Sequence, residues 1–133
     1  MKVVDVAVGV IKQGNRIYIS KRADDLHQGG KWEFPGGKRE PNESIDQALS
    51  RELQEEIGIQ VKSQTELTLI EHDYGDKKVR LHVRLVDEFS GEAQQQEGQQ
   101  AKWVAIADLN QYQFPAANVA IIELLQRLVV TKI

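Results

Sequence analysis

Apolar residues occupy every second position from Val4 to Val10. A period of two is typical of a β-strand, in which successive side chains point to opposite faces of a sheet. The Gly14-Asn15 pair is a turn signal, and the apolar-rich segment 17–19 follows it. The N-terminal part of the chain is therefore predicted to form a β-hairpin.

Three further strands are predicted downstream. Apolar and polar residues alternate over residues 79–86, which indicates a strand with one buried face. Its partner is predicted over residues 65–74, before the turn signal Gly75-Asp76, and a short strand is predicted at residues 103–104.

Two long segments lack periodicity and are predicted to be loops. Residues 23–42 contain Gly-Gly and Pro-Gly pairs, and residues 92–100 are rich in Gln and Gly. Long loops in compact domains are usually functional, so both segments are candidates for a site.

Helical spacing of apolar residues predicts two helices. The first covers residues 43–57 and stops at Gly58. The second follows Pro115, and its predicted apolar face consists of Val119, Ile122, Leu125 and Val129. Strands interleaved with helices indicate an α/β fold, with one mixed sheet and both helices packed on it. We expect a single domain spanning residues 1–133.

Three glutamates break the pattern of the first helix. On a helical wheel of about 100° per residue with Ile45 at zero, the apolar side chains lie between about −60° and 120°. Glu52 lies near about −20° and Glu56 near about 20°, inside that sector, and Glu55 lies at its edge near about −80°. Three carboxylates are thus predicted to converge on the face that seeks the core.

Such a cluster needs compensation, because burial of one unpaired carboxylate costs several kcal/mol. Arg51 lies to one side of the cluster and cannot neutralise three acids. The glutamates either lie on a solvated face with ordinary i, i+4 partners or hold a divalent cation, and the conflict with the apolar face favours the cation. Oxygen ligands without histidine or cysteine favour Mg²⁺, with Mn²⁺ as a substitute.

Composition narrows the class of protein. The chain has 133 residues and no cysteine, which excludes disulfides, thiolate zinc sites and cysteine nucleophiles and makes a cytoplasmic location the simplest expectation. No apolar run approaches the ~18 residues of a membrane span. The net charge of −3 argues against binding to a nucleic-acid polymer. A phosphate-bearing small molecule remains possible if a metal ion supplies positive charge.

The segment that contains the three glutamates matches a known sequence motif. Residues 37–59 read GKREPNESIDQALSRELQEEIGI. This segment resembles the Nudix box, G-x5-E-x7-R-E-U-x-E-E-x-G-U with U aliphatic, at every position. The box positions are Gly37, Glu43, Arg51, Glu52, Glu55, Glu56 and Gly58.

Segments outside the box resemble the MutT branch of that family, the 8-oxo-dGTP diphosphatases. The similar segments are residues 7–10, 21–24, 33–38, 97–99 and 114–118. The resemblance implies an α/β/α sandwich and hydrolysis of a nucleoside triphosphate to a monophosphate and pyrophosphate. The Phe-Pro-x-Ala-Asn segment, residues 114–118, is what points to an oxidised guanine.

The resemblance also implies a metal site. Its ligands would be the carbonyl of Gly36 and the carboxylates of Glu52, Glu55, Glu56 and Glu97. Glu52 is the first candidate for the base that deprotonates water, and Glu97 is the second. Arg51 would orient the glutamates, and Glu43 would support the helix or the cluster.

Five residues are candidates for substrate contact. Arg22 and Lys38 could bind phosphate or be solvated surface charges, and Phe34 could line a base slot or pack in the core. Asn118 could pair with a purine edge or merely cap the last helix. Lys77 stands where bacterial members often have arginine, and it lacks the planar fork of that side chain.

The alternatives that stay open concern substrate and class. Another dNTP, ADP-ribose or a dinucleoside polyphosphate would use the same chemistry. A catalytically silent nucleotide-binding module belongs to a different class, and its members usually lack box glutamates. We expect a monomer that acts on a small nucleoside triphosphate.

Overall fold

A computed structural model describes residues 2–22, 30–96 and 100–131. These residues form seven strands, two α-helices and one 3-10 helix. In chain order they are β1 (Lys2–Gln13), β2 (Arg16–Lys21), β3 (Trp32–Glu33), β4 (Gly36–Lys38), α1 (Ile45–Ile57), β5 (Gln60–Asp73), β6 (Lys77–Ser90), β7 (Ala101–Ala105), the 3-10 helix (Ile106–Gln111) and α2 (Ala116–Thr131). In the described residues no helix is long and apolar enough to cross a membrane.

Strand β1 is the centre of the sheet. It pairs in parallel with β6 from Lys2 to Ile11 and antiparallel with β4 from Val6 to Val8. Its last residues form the predicted hairpin with β2. Strand β5 extends the sheet beyond β6, and β3 and β7 flank β2. The sheet is therefore mixed, as predicted.

Each face of the sheet carries its own core. Ala7 and Ile11 of β1 point to the α1 side, whereas Val8 and Val10 point to the α2 side. The α1 side also contains Tyr18, Ala48, Leu49, Leu53, Ile57, Ile59 and Val86. The α2 side also contains Ile17, Ile19, Phe34, Val83, Val104, Ile106, Leu109, Phe114, Ile121, Ile122 and Leu125. This arrangement is the predicted α/β/α sandwich, and it explains why β1 is apolar on both faces.

Helix α1 has strong signals at both ends. Ser44 is the N-cap and forms a capping box with Gln47, each side chain accepting a hydrogen bond from the backbone N–H of the other residue. Gly58 ends the helix in the left-handed conformation, with φ of 73°. The prediction of residues 43–57 was thus two residues too long at the start and correct at the end.

Two other expectations need correction. The segment 23–42 was predicted to be a loop, but its described part contains β3 and β4, which are too short to give a periodic signal. On α2, Val119 is exposed, and Ile121 is buried in its place beside the predicted Ile122 and Leu125. The side chain of Val129 lies outside the described residues.

Candidate active site

The site begins where the backbone of β4 passes over α1. A Cβ atom on Gly37 would lie 2.4 Å from Cδ of Glu52, and one on Gly36 would lie 2.0 Å from the backbone oxygen of Ala7. A side chain at Gly36 would collide with the backbone of β1, whereas one at Gly37 would displace the carboxylate of Glu52. The backbone N–H of Gly36 donates to Oε2 of Glu56 at 3.3 Å. Two box carboxylates therefore lie directly against this Gly-Gly backbone.

Arg51 links three acidic residues of the box. Its Nη2 and Nε donate to the two carboxylate oxygens of Glu43 at 2.7 and 3.1 Å, a bidentate pair. Its Nη1 donates to Oε1 of Glu52 at 2.9 Å and to Oε2 of Glu55 at 3.5 Å. Nη2 also donates to the backbone oxygen of Lys38 at 3.3 Å. The guanidinium of Arg51 thus fixes the carboxylate of Glu52 relative to Lys38 of β4 and to Glu43, which precedes α1.

The pairing of Arg51 with Glu43 shifts the pKa of both groups. The hydrogen bonds from Arg51, followed by the backbone N–H of Glu40, lower the pKa of Glu43 from 4.5 to about 2. The same pairing with Glu43, reinforced by Glu52, raises the pKa of Arg51. Glu43 is consequently an anion at neutral pH, and it binds Arg51 through both carboxylate oxygens.

The three helix carboxylates are not equally enclosed. The side chain of Glu52 is 22% exposed, whereas that of Glu55 is 62% exposed. Glu56 is half-buried. Glu52 and Glu56 are partly enclosed on the core-facing side, and Glu55 lies at the solvent edge of that side, as the helical wheel predicted. Arg51 reaches it there, at i, i+4 spacing.

The donor set suits a hard cation. Glu52 and Glu56 offer carboxylate oxygens beside the backbone of Gly36, and none of these atoms is sulfur or imidazole nitrogen. Within the described ranges no group of three acidic or histidine side chains is drawn close enough to form a finished metal site. Glu97, the remaining predicted ligand, lies outside the described residues. The chemistry of the donors fits Mg²⁺ or Mn²⁺.

A cavity of about 260 Å³ adjoins the Gly-Gly backbone. It brings together four of the five predicted substrate residues, which come from distant parts of the chain. The lining residues are Val6, Ala7, Val8, Arg22, Glu33, Phe34, Gly36, Gly37, Lys38, Leu81, Pro115 and Asn118. Lys77 is not among them: it lies at the start of β6, and its Nζ is 5.9 Å from the centre of the Tyr74 ring.

The apolar end of this cavity is aromatic. Phe34 is 3% exposed and stacks on Phe114, with 5.2 Å between ring centres. Phe34 therefore both packs in the core and lines the cavity, so the two alternatives left by the sequence coexist. Asn118 lies inside the first turn of α2, which begins at Ala116, and is half-buried. It is not at the cap position, which removes the capping alternative.

Glu33 is a cavity residue that sequence reasoning missed. Its Oε1 accepts a hydrogen bond from Nη1 of Arg22 at 3.0 Å, and both side chains are 27% exposed. The available signal was its place in the Glu-Phe-Pro-Gly-Gly segment, residues 33–37. Because Glu33 binds it, the guanidinium of Arg22 is held at the wall of the cavity.

A second cavity has a different character. It measures about 200 Å³ and lies between the sheet and α2, where Leu67, Leu85, Ile106 and Leu125 line it. No carboxylate lines it.

Residues 6–124 match the family described as NUDIX domain. The chain belongs to the Nudix family. It is 41% identical over 129 residues to the 8-oxo-dGTP diphosphatase of Escherichia coli strain K12, covering 96% of this chain and all of the relative. It is 33% identical over 123 residues to the CTP pyrophosphohydrolase of the same strain, covering 92% of this chain and 91% of the relative.

Solved structures agree with the fold. One comes from a study of MutT from the fish pathogen Aliivibrio salmonicida and from Vibrio cholerae, and it is 40% identical to this chain. It superimposes with a TM-score of 0.84, covering 93% of this chain and 97% of the other. The protein is therefore a Nudix hydrolase of the MutT type, an enzyme that hydrolyses nucleotides.

Proposed function

We propose that the chain is a magnesium-dependent 8-oxo-dGTP diphosphatase that releases 8-oxo-dGMP and pyrophosphate. The observation that carries the proposal is the cavity in which Arg22, Phe34, Lys38 and Asn118 meet beside the Gly36-Gly37 backbone. The similarity to relatives that bear this name supports the choice of substrate.

The metal would be held by Glu52, Glu55, Glu56 and Glu97 with the carbonyl of Gly36. When bound, Mg²⁺ offsets the charge of the phosphate oxygens and lowers the pKa of a coordinated water. Arg51 orients Glu52 through its 2.9 Å hydrogen bond. Glu52 is the first candidate to accept the proton of the water that attacks the β-phosphorus, and Glu97 is the second.

The remaining cavity residues would bind the nucleotide. Arg22, already oriented by Glu33, and Lys38 supply positive charge for phosphate oxygens. Phe34, which stacks on Phe114, would give an apolar surface for a base. Oxidised guanine carries a proton on N7 where guanine has a lone pair, and the side-chain carbonyl of Asn118 can accept that hydrogen bond. Ordinary guanine would leave the amide poorly paired, which disfavours its binding.

A cytosine nucleotide is the second candidate substrate. A relative that is 33% identical over most of both chains is named CTP pyrophosphohydrolase. The metal chemistry would be unchanged, and only the contacts of Asn118 and its neighbours would differ.

The test measures pyrophosphate release from 8-oxo-dGTP, dGTP, CTP and ADP-ribose with Mg²⁺ at equal concentrations. We expect the highest kcat/KM with 8-oxo-dGTP, and kcat lower by roughly 10²-fold or more in Glu52→Gln, because general-base catalysis is worth that much. Circular dichroism checks that the variant is folded. Preference for CTP would support the second candidate, and no product from any nucleotide would indicate a non-catalytic module.

A further inference from the structure

The turn that carries Glu43 has a defined geometry. The backbone N–H of Glu43 donates to the oxygen of Glu40 at 3.3 Å, and Pro41 and Asn42 occupy the two central positions. Asn42 has a φ of 69°. Proline first and a left-handed residue second are features of a type II turn. This turn joins β4 to α1, and it sets where the Glu43 carboxylate lies.

Arg39, at a variable position of the Nudix box, forms hydrogen bonds with this turn. Its Nη1 donates to the backbone oxygen of Glu43 at 3.1 Å and to that of Glu40 at 3.5 Å. Its Nη2 lies 3.8 Å from Oδ2 of Asp5, and its backbone N–H donates to the oxygen of Asp5 at 2.9 Å. One side chain therefore connects both ends of the turn to strand β1.

Asp5 is itself firmly held. Nε and Nη2 of Arg80 donate to its two carboxylate oxygens at 2.8 and 3.1 Å, and Nε2 of His82 lies 2.8 Å from Oδ1. The side chain of Asp5 is only 13% exposed. Since β1 and β6 are central strands, this carboxylate is a fixed point of the sheet.

The Glu40–Glu43 turn also determines the position of Arg51. Glu43 binds Arg51 in bidentate fashion, and Arg51 binds Glu52. A displacement of the Glu43 backbone by a few tenths of an ångström would weaken these charge-assisted bonds, whose energy depends steeply on geometry. A path of direct contacts therefore runs from the sheet through Arg39 to the carboxylate at the metal site.

We propose that Arg39, anchored by Asp5, is a positioning residue that holds the Glu40–Glu43 turn so that Arg51 presents Glu52 correctly. This inference rests on the proposed function for its effect on catalysis. The side chain of Arg39 is not part of the cavity lining, and its hydrogen bonds go to the turn. Its effect on the site is therefore exerted through the turn and through its charge near Glu43. The competing view is that Arg39, whose side chain is 37% exposed, is an ordinary surface cation.

Arg80→Gln is a matched control for Arg39→Gln. Both arginines contact the same Asp5 carboxylate, but only Arg39 reaches the turn. The first readout is the affinity of the protein for Mn²⁺ alone, measured by electron paramagnetic resonance without nucleotide. We expect Arg39→Gln to weaken Mn²⁺ binding roughly tenfold, as substitutions that disturb the orientation of ligands do. Arg80→Gln leaves Asp5 in contact with His82 and leaves the backbone bond from Arg39 to Asp5 in place. It should therefore lower the thermal unfolding temperature and leave Mn²⁺ binding within about twofold of wild type.

Kinetics provide the second readout. Arg39→Gln should lower kcat with little change in the KM for the nucleotide, because the cavity lining is untouched. Arg39→Lys should recover only part of the loss, since lysine lacks the fork that reaches both carbonyls and the carboxylate. The double variant Asp5→Asn with Arg39→Gln should bind Mn²⁺ no more weakly than the weaker of the two single variants, because both act on one path.

Equal Mn²⁺ affinities in Arg39→Gln, Arg80→Gln and wild type would overturn the inference. The proposed function fails separately, if wild-type protein hydrolyses no nucleotide. Wild-type protein that binds Mn²⁺ without hydrolysing nucleotides would still allow the affinity comparison to decide the role of Arg39.

Discussion

Gly37 and Arg51 together determine the position of the Glu52 carboxylate. Gly37 allows the carboxylate of Glu52 to lie against the backbone of β4, and any side chain there would occupy the same space. Arg51 then binds that carboxylate from the other side. A glycine and an arginine, fourteen positions apart in the box, thus fix one glutamate between them.

Asn118→Ala tests base recognition at the scale of one residue. We expect kcat/KM for 8-oxo-dGTP to fall by about tenfold or more while that for dGTP changes little, because a lost hydrogen bond in a half-buried slot costs about 1–3 kcal/mol. Steady-state kinetics on both nucleotides give the ratio. Asn110→Ala is the control, since Asn110 accepts from Gln126 on the surface, away from the cavity. An unchanged preference in Asn118→Ala would remove oxidised guanine as the assigned substrate.

Helix α1 is the element on which the site is built. Its apolar residues Leu49, Leu53 and Ile57 are fully buried, so the helix cannot rotate without exposing them. Its last turn also binds the predicted loop 92–100, since the backbone N–H groups of Gln94 and Gln96 donate to the backbone oxygens of Ile57 and Glu56. The end of the helix therefore organises two parts of the chain.

Gly58→Ala tests that helix end. Alanine at a φ of 73° is strained by about 1–2 kcal/mol, and its Cβ would lie 3.0 Å from Nε2 of Gln96. We expect the free energy of unfolding in urea to fall by about 1–2 kcal/mol. Gly14→Ala is the matched control, because its φ is 61° and no atom lies within 4 Å of the new Cβ. If the free energy of unfolding falls further in Gly58→Ala than in Gly14→Ala, the difference measures the cost of displacing Gln96. A Gly58→Ala variant as stable as wild type would contradict the expectation.

At the scale of the whole molecule, contacts between polar side chains join strands of the sheet to one another and to α1, in addition to the two apolar cores. Asp5 and its partners Arg80 and His82 bridge β1 and β6, and Arg84 of β6 pairs with Asp46 of α1. The hydrogen bonds from Arg80, and then from His82, lower the pKa of Asp5 from 3.8 to about 2. Loss of this charge therefore weakens contacts between elements.

The stability of the protein should fall in acid over a defined window. Between about pH 4 and pH 2 the unfolded chain binds a proton at Asp5 that the folded chain does not, so stability falls as the pH falls through this range. Glu43, whose pKa falls from 4.5 to about 2, acts in the same direction. Urea denaturation at pH 7, 4, 3 and 2.5 measures the effect.

The Asp5→Asn variant tests how much Asp5 contributes to the loss of stability in acid. It should lower stability at pH 7 by about 1–3 kcal/mol, because charged hydrogen bonds are lost, and it should show a smaller further loss in acid. Asp87→Asn, at an exposed position of β6, should follow wild type. Parallel acid curves for Asp5→Asn and wild type would show that Asp5 does not contribute.

Local signals in the sequence were sufficient for much of the architecture. The period-two pattern of β1, the turn at Gly14 and the helix stop at Gly58 are local, and all three occur where predicted. Short strands such as β3 and β4 were missed because they are formed by pairing with neighbours rather than by their own pattern. The apolar face of α2 was partly wrong because every side of that helix offers aliphatic residues, and packing alone selects among them.

The sequence by itself determined the longer strands and both helices, the spacing of the box and the oxygen-donor chemistry, because each depends on residues close together in the chain. Only the tertiary structure decided which distant residues meet: Arg22, Phe34 and Asn118 at one cavity, and Arg39 on Asp5. Side chains from separate strands and helices become neighbours only when the sheet pairs and both faces are covered. That choice is made by the burial of apolar surface across the whole fold, which no local pattern encodes.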